Sequence, residues 1–152
     1  MECLEIVAAY GMVLATGHAG RDEIFALAAC ARERGVTRLI VTHAEFTSVN
    51  LGARDQVELA RRGALIEHCY TTAYTAKTAW ETVFANVRAT GAGAAVISTD
   101  LGQVANPPAA DGLADFADRL LHAGFSPDDV RQMAVVNPTH LLGVSPPGAD
   151  SA

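Results

Sequence analysis

The sequence has one lysine, three cysteines and no long apolar run, and each scarcity removes a class of function. Lys77 stands alone beside scattered arginines, and the formal net charge is −6. No basic patch of the kind that binds nucleic acid is present. Cys3, Cys30 and Cys69 are odd in number, far apart and without a Cys-x-x-Cys pair. That argues against a disulfide framework or a thiolate zinc site and leaves them as reduced core residues. No apolar stretch approaches the roughly 18 residues that span a bilayer, and Met1-Glu2-Cys3-Leu4-Glu5 lacks the basic start of a signal peptide. The expectation is a soluble, cytoplasmic protein with no membrane partner. A Gly-x-x-x-x-Gly-Lys phosphate loop is also missing, and Gly91-Ala92-Gly93 precedes a strand rather than following one, so it reads as a helix stop.

What is there is apolar and evenly built. With 152 residues, 50% hydrophobic, 18% charged and mean hydropathy +0.19, the chain is one compact domain rather than a disordered segment. A short apolar run recurs four times, each closing on an imidazole or a carboxylate: Met12 to His18, Arg38 to His43, Ala64 to His68, and Ala94 to Asp100. The gaps between His18, His43, His68 and Asp100 are 25, 25 and 32 residues, each the length of a strand with its returning helix. These are βα units of an α/β fold with a parallel sheet.

The helices between the strands carry their own punctuation. Arg21 to Arg34 has acids in its first turn and arginines in its last, and stops at Gly35. Arg54 to Arg62 stops at Gly63, a helix over 75–90 stops at Gly91, and Asp111 to Ala123 stops at Gly124. Ser126-Pro127-Asp128-Asp129 opens a last helix running to about Val135. Residues 2–10 read as a helix closed by Gly11. Asn106 to Ala110 reads as a surface loop, and the segment from Ser145 as a disordered tail.

In parallel α/β folds the carboxyl ends of the strands gather on one side and build the site. His18, His43, His68 and Asp100 are therefore expected to converge there. A lone histidine at a strand end is usually a surface or core residue, but three at one topological position beside an aspartate argue for a site. Imidazoles with a carboxylate suit zinc or another divalent metal, with Asp100 as ligand, as base for a bound water, or as both. Cys69 directly follows His68, so on a strand its side chain faces the opposite way, and a Cys-His nucleophilic pair is not expected there. His122, within a helix, and His140, after Asn137-Pro138-Thr139, are read as structural.

The segment Ser98-Thr99-Asp100-Leu101-Gly102-Gln103, with Asn106-Pro107, Gly124-Phe125 and Asn137-Pro138-Thr139-His140, resembles the C-terminal end of the amidohydrolase-type metal-dependent hydrolases. Thr16-Gly17-His18, Val41-Thr42-His43 and Glu67-His68 fit the preceding strands, so the likeness spans about residues 10–143. It implies the last four strands of a (β/α)8 barrel, with Asp100 ending the eighth. His18 and His43 would then be metal ligands and Asp100 a ligand or catalytic base. His68, where the family usually has no ligand, would be a catalytic residue contacting substrate or one supporting the ligands from behind. The chain departs from that family in having no His-x-His pair and no lysine ending a strand before His18, and a full barrel takes about 250 residues. Residues 1–144 would thus form part of a barrel, completed by a missing N-terminal half or by a second copy in a homo-oligomer. The expected function is hydrolysis of a small-molecule substrate by metal-activated water. A metal-dependent decarboxylase or lyase, and an inactive half-barrel acting as an association module, are the alternatives.

Overall fold

The computed structural model describes residues 2–144. The tail expected from Ser145 lies outside the described residues. Helix α1 (Glu2–Ala9) leads to strand β1 (Leu14–Ala15), helix α2 (Arg21–Glu33), strand β2 (Leu39–Val41) and helix α3 (Ala53–Arg61). Strand β3 (Leu65–Cys69) runs directly into helix α4 (Tyr70–Tyr74), and helix α5 (Trp80–Thr90) precedes strand β4 (Ala95–Ser98). Helices α6 (Ala109–His122), α7 (Pro127–Arg131) and α8 (Asn137–Leu142) follow, with a π-helical turn over Gln132–Val136 joining the last two. The four strands are all parallel and lie in chain order. The βα repeat expected from the apolar runs is the repeat that forms.

Strand register divides the side chains between two faces. Leu14 pairs with Leu39, Val41 with Ile66, Ile66 with Ala95 and His68 with Ile97, so these residues share one face. Against it pack Ile24 and Ala28 of α2, Leu59 of α3, Val83 and Val87 of α5, and Phe116 and Leu120 of α6. Val13, Ile40, Leu65 and Val96 lie on the second face, where Leu141 of α8 covers them. Ile40 is 9% and Val96 6% exposed, so the chain's own last helix covers this apolar strip. Bonds from Asn137 Nδ2 to the carbonyls of Ala92 (2.8 Å) and Ala95 (2.6 Å) tie the start of that helix to β4.

Two helix readings change. The helix expected over 75–90 begins only at Trp80, because the chain turns back after α4 through Ala76 in the left-handed region (φ 56°). Neither glycine nor proline marks that turn. It is held by backbone bonds from Lys77 and Thr78 to the Thr72 carbonyl. At the other end the helix from Pro127 does not stop near Val135 but continues into α8 through Pro138. A proline inside an α-helix removes one N–H and clashes with the carbonyl four residues back, and the wider π turn just before it relieves both.

Phe116 is fully buried between Tyr70, Trp80 and β4, and its ring meets Trp80 edge to face at 5.4 Å. Phe116→Ala is expected to cost about 3–5 kcal/mol of stability, since a close-packed core collapses only partly around the void. Urea denaturation followed by Trp80 fluorescence reads this directly. A change in midpoint no larger than that of an exposed substitution would mean that this cluster is not the core of the second half.

Candidate metal centre

Two threonines set the first two strand ends side by side. Thr42 donates its backbone N–H to Thr16 Oγ1 at 3.1 Å and its hydroxyl to the Gly17 carbonyl at 3.1 Å. Lacing Thr16-Gly17 to Thr42 leaves the next residues, His18 and His43, adjacent, with ring centroids 5.0 Å apart. Gly17 (φ 60°) turns the first chain away from the sheet, and His43 itself holds a left-handed backbone (φ 51°). Asp100, after β4, does the same at φ 51°. For residues with a Cβ this costs roughly 1–2 kcal/mol, and such strain concentrates at functional positions.

Alternation along β3 supplies the remaining groups. Glu67 and Cys69 are two residues apart and project from the second face, beneath His43. His43 donates its backbone N–H to Glu67 Oε2 at 3.1 Å, and its Nδ1 lies 2.9 Å from Cys69 Sγ and 3.5 Å from the same carboxylate oxygen. One ligand atom from each of His43, Glu67 and Cys69 falls within 4.8 Å of the others. The His43 and Glu67 side chains keep 17% and 15% of their surface, while Cys69 is buried and 3.2 Å from Ser98 Oγ. Burial pushes the Cys69 thiol far above its ordinary pKa. The Glu67 and then the Asp100 carboxylates add to this, while the Ser98 hydrogen bond opposes it.

The geometry separates two kinds of chemistry. A Cys-His-Glu relay needs the thiol on one imidazole nitrogen and the carboxylate on the other. Here both face the same nitrogen. Three donor atoms within 4.8 Å of one another could instead hold a metal ion. Around a tetrahedral zinc ion donor atoms lie roughly 3.5 Å from one another, given ordinary bond lengths. The 2.9 and 3.5 Å from His43 Nδ1 to Cys69 Sγ and Glu67 Oε2 lie close to that spacing.

Of the residues expected to converge, His43 is in this cluster, His18 stands beside it, and Asp100 ends the strand next to Cys69. Asp100 is exposed and accepts a hydrogen bond from Thr71 Oγ1 at 3.2 Å. His68 points the other way, because the alternation that puts Glu67 and Cys69 on the second face puts His68 on the first. It is fully buried, with Nδ1 2.9 Å from Glu45 Oε1. The inference that Cys69 opposes His68 holds, but the face that gathers the ligands is that of Cys69. Glu67 carried a signal as well, being a charged residue inside an otherwise apolar strand. His122 and His140 are both exposed and lie outside the cluster, on α6 and α8. A groove of about 850 Å³ between α2 and α3 is also remote from these ligands, lined by Arg21, Phe25, Asp55 and Arg62 among others.

The Glu45 carboxylate also accepts from Gln56 Nε2 and Asn86 Nδ2, both at 2.9 Å. Burial opposes its ionisation, but the His68 charge and these hydrogen bonds prevail and hold its pKa below the usual carboxylate range. A lowered folded pKa means stability that is complete above the unfolded value of about 4.3 and is lost as pH falls through the folded one. Glu45→Gln is therefore expected to be less stable at neutral pH and to show a flatter acid limb in urea midpoints measured from pH 7 downward. An unchanged acid limb would remove Glu45 from the account.

Residues 1–67 match a protein family described as "Family of unknown function (DUF6282)". The matched stretch contains His18, His43 and Glu67 and ends before Cys69. No curated protein and no solved structure matches the chain.

Proposed function

We propose that the chain is a metal-dependent hydrolase whose divalent ion, zinc by the chemistry of its donors, is held by His43, Glu67 and Cys69. The observation that carries this reading is the convergence of one imidazole nitrogen, one carboxylate oxygen and one thiol sulfur on a single point. A set mixing imidazole, carboxylate and thiolate favours zinc over magnesium or calcium, which take oxygen. Three protein ligands leave a position open, the pattern of catalytic rather than structural zinc. Such an ion supplies Lewis acidity and activates water near neutral pH.

The chain's own residues divide the remaining work. Glu67 is held by the His43 backbone N–H, which bonds Oε2 at 3.1 Å and so orients the carboxylate toward the His43 ring. Asp100, exposed at the neighbouring strand end and steadied by Thr71, would take up and return the proton. His18, packed on His43, borders the opening. The resemblance of the last strand to amidohydrolase-type enzymes favours hydrolysis of a C–N, C–O or P–O bond over decarboxylation.

Purified protein is expected to carry about one zinc per chain by elemental analysis, in keeping with a three-ligand site. His43→Ala and Cys69→Ser should each lose most of it, and His122→Ala none. Cobalt substitution should produce a thiolate-to-metal charge-transfer band that Cys69→Ser abolishes. A panel of amides, esters and phosphoesters, assayed with and without chelator, tests the reaction. On any substrate turned over, Asp100→Asn should lower kcat about 10²- to 10⁴-fold while metal content holds. Equal metal in the wild type, His43→Ala and Cys69→Ser would overturn the centre.

A further inference from the structure

We propose that Lys77 is the anion-recognition residue of this site, so that the substrate carries a carboxylate or a phosphorus oxyanion close to its reacting bond. The inference rests on the metal-centre reading above and adds to it the class of substrate.

The argument begins from how the cations are used. Five arginines have settled partners: Arg21 bonds Asp55 and Asp22, Arg62 bonds Glu58, Arg119 bonds Asp115, and Arg38 and Arg88 bond backbone carbonyls. Lys77, the only lysine, pairs with no carboxylate among the described residues. Its ammonium lies over the Phe46 ring, 4.2 Å from the centroid. That ring is also the neighbour of both site histidines, meeting His18 edge to face at 5.2 Å and His43 at 6.1 Å. A charge without a carboxylate partner thus stands one aromatic ring away from the metal ligands.

Its position is fixed by the strand that supplies Cys69. From the end of β3 the chain makes the short helix α4, reverses through Ala76 in the left-handed region, and is pinned where the Lys77 and Thr78 N–H groups meet the Thr72 carbonyl at 3.0 and 3.2 Å. Thr72 is 1% exposed, so the anchor is part of the core although Lys77 is exposed. At the centre a divalent ion, a thiolate and a carboxylate sum to zero with His43 neutral as a ligand, and Asp100 adds one negative charge at the neighbouring strand end. Lys77 pairs with no carboxylate of the described residues, Asp100 included, so its charge remains for an anion that the substrate brings. Phe46 holds the ammonium by its π face without neutralising it, and the four-carbon stem lets the head swing from the ring to a bound anion.

The test uses the zinc- or cobalt-loaded protein and two metal-binding probes of equal length, the monohydroxamate of succinic acid and neutral butanohydroxamic acid. Both place a hydroxamate on the metal, and only the first carries a charge toward the rim. Isothermal titration should show the anionic probe binding about tenfold more tightly than the neutral one, the scale of one charge-assisted contact. Lys77→Met, which keeps the length and apolar bulk on Phe46, should erase the preference while leaving the neutral probe unchanged, and Lys77→Arg should restore most of it. A matching probe with a phosphonate in place of the carboxylate separates the two anions by the larger preference. No preference in the wild type, a preference that survives in Lys77→Met, or no binding of either probe to metal-loaded protein would overturn the assignment of Lys77 and leave the metal centre standing. Failure to load metal at all would overturn both.

Discussion

A carboxylate that lies beneath the site, and not in it, holds the site together. Glu45 Oε1 accepts from His68 on β3, Gln56 on α3 and Asn86 on α5, and so joins three elements at one buried point. It sits two residues beyond His43, in the loop leaving β2. The same loop is tied to β3 by the Ala44 N–H on the Glu67 carbonyl, and closes on itself where the Leu51 N–H meets the Ala44 carbonyl. His43 can occupy a left-handed backbone over Glu67 and Cys69 because the residue after it is bonded and the residue after that is anchored in the core. A buried charge lacking these donors would cost several kcal/mol, and breaking such a pair by removing one partner is strongly destabilising. His68, beside two metal-capable residues in sequence, serves this scaffold.

The parallel sheet explains why one strand serves both purposes. In β3 the odd positions 65, 67 and 69 face one way and the even positions 66 and 68 the other. A one-residue slip in register would exchange His68 for Cys69 and bury two ligands against the helices. The Ile66–Ala95 and Ile40–Leu65 pairings prevent it, since each keeps apolar residues on faces that are covered. The chemistry at the end of the strand is therefore set by packing further down it. Without metal, burial and the Glu67 carboxylate hold Cys69 as a thiol. A bound cation reverses that preference, because a metal-bound sulfur is a thiolate.

The fold was legible because apolar runs, helix stops and spacing all agree. Arg21 to Gly35 and Arg54 to Gly63 end as their glycines require, with φ of 76° and 94°. The break after α4 was not legible, because Ala76 takes a conformation that its identity does not announce. The passage through Pro138 was hidden by the ordinary rule that proline ends a helix. Of the strand-end residues expected at the site, His43 is the one in the cluster that could hold a metal ion. A reading that follows histidines does not reach Glu67 and Cys69. In a strand the nearest neighbours in sequence are the ones that cannot share a face, so choosing His68 excluded both residues flanking it. The alternation needed to correct this was already in hand, but which face was the open one depends on where α8 packs. That is a contact between residues about a hundred positions apart.

The second face itself argues for a solvent-facing site. Toward the amino ends of the strands it is apolar, with Val13, Ile40, Leu65 and Val96, and there Leu141 lies on it. Toward the carboxyl ends it turns to Thr42, Glu67, Cys69, Ser98 and Asp100, none of which belongs to a hydrophobic cluster of the described residues. Parallel sheets are ordinarily covered on both sides, and a sequence selected only for folding would continue the apolar surface or cover it. The change from apolar to polar along a single face occurs beyond the strip that Leu141 covers, and most of the residues past it keep some exposure. Two residues at this end, His43 and Asp100, also hold left-handed backbones, as Asn50 and Ala76 do in turns elsewhere. Polarity and openness coincide at one end of one face, the end where a parallel α/β sheet places its chemistry.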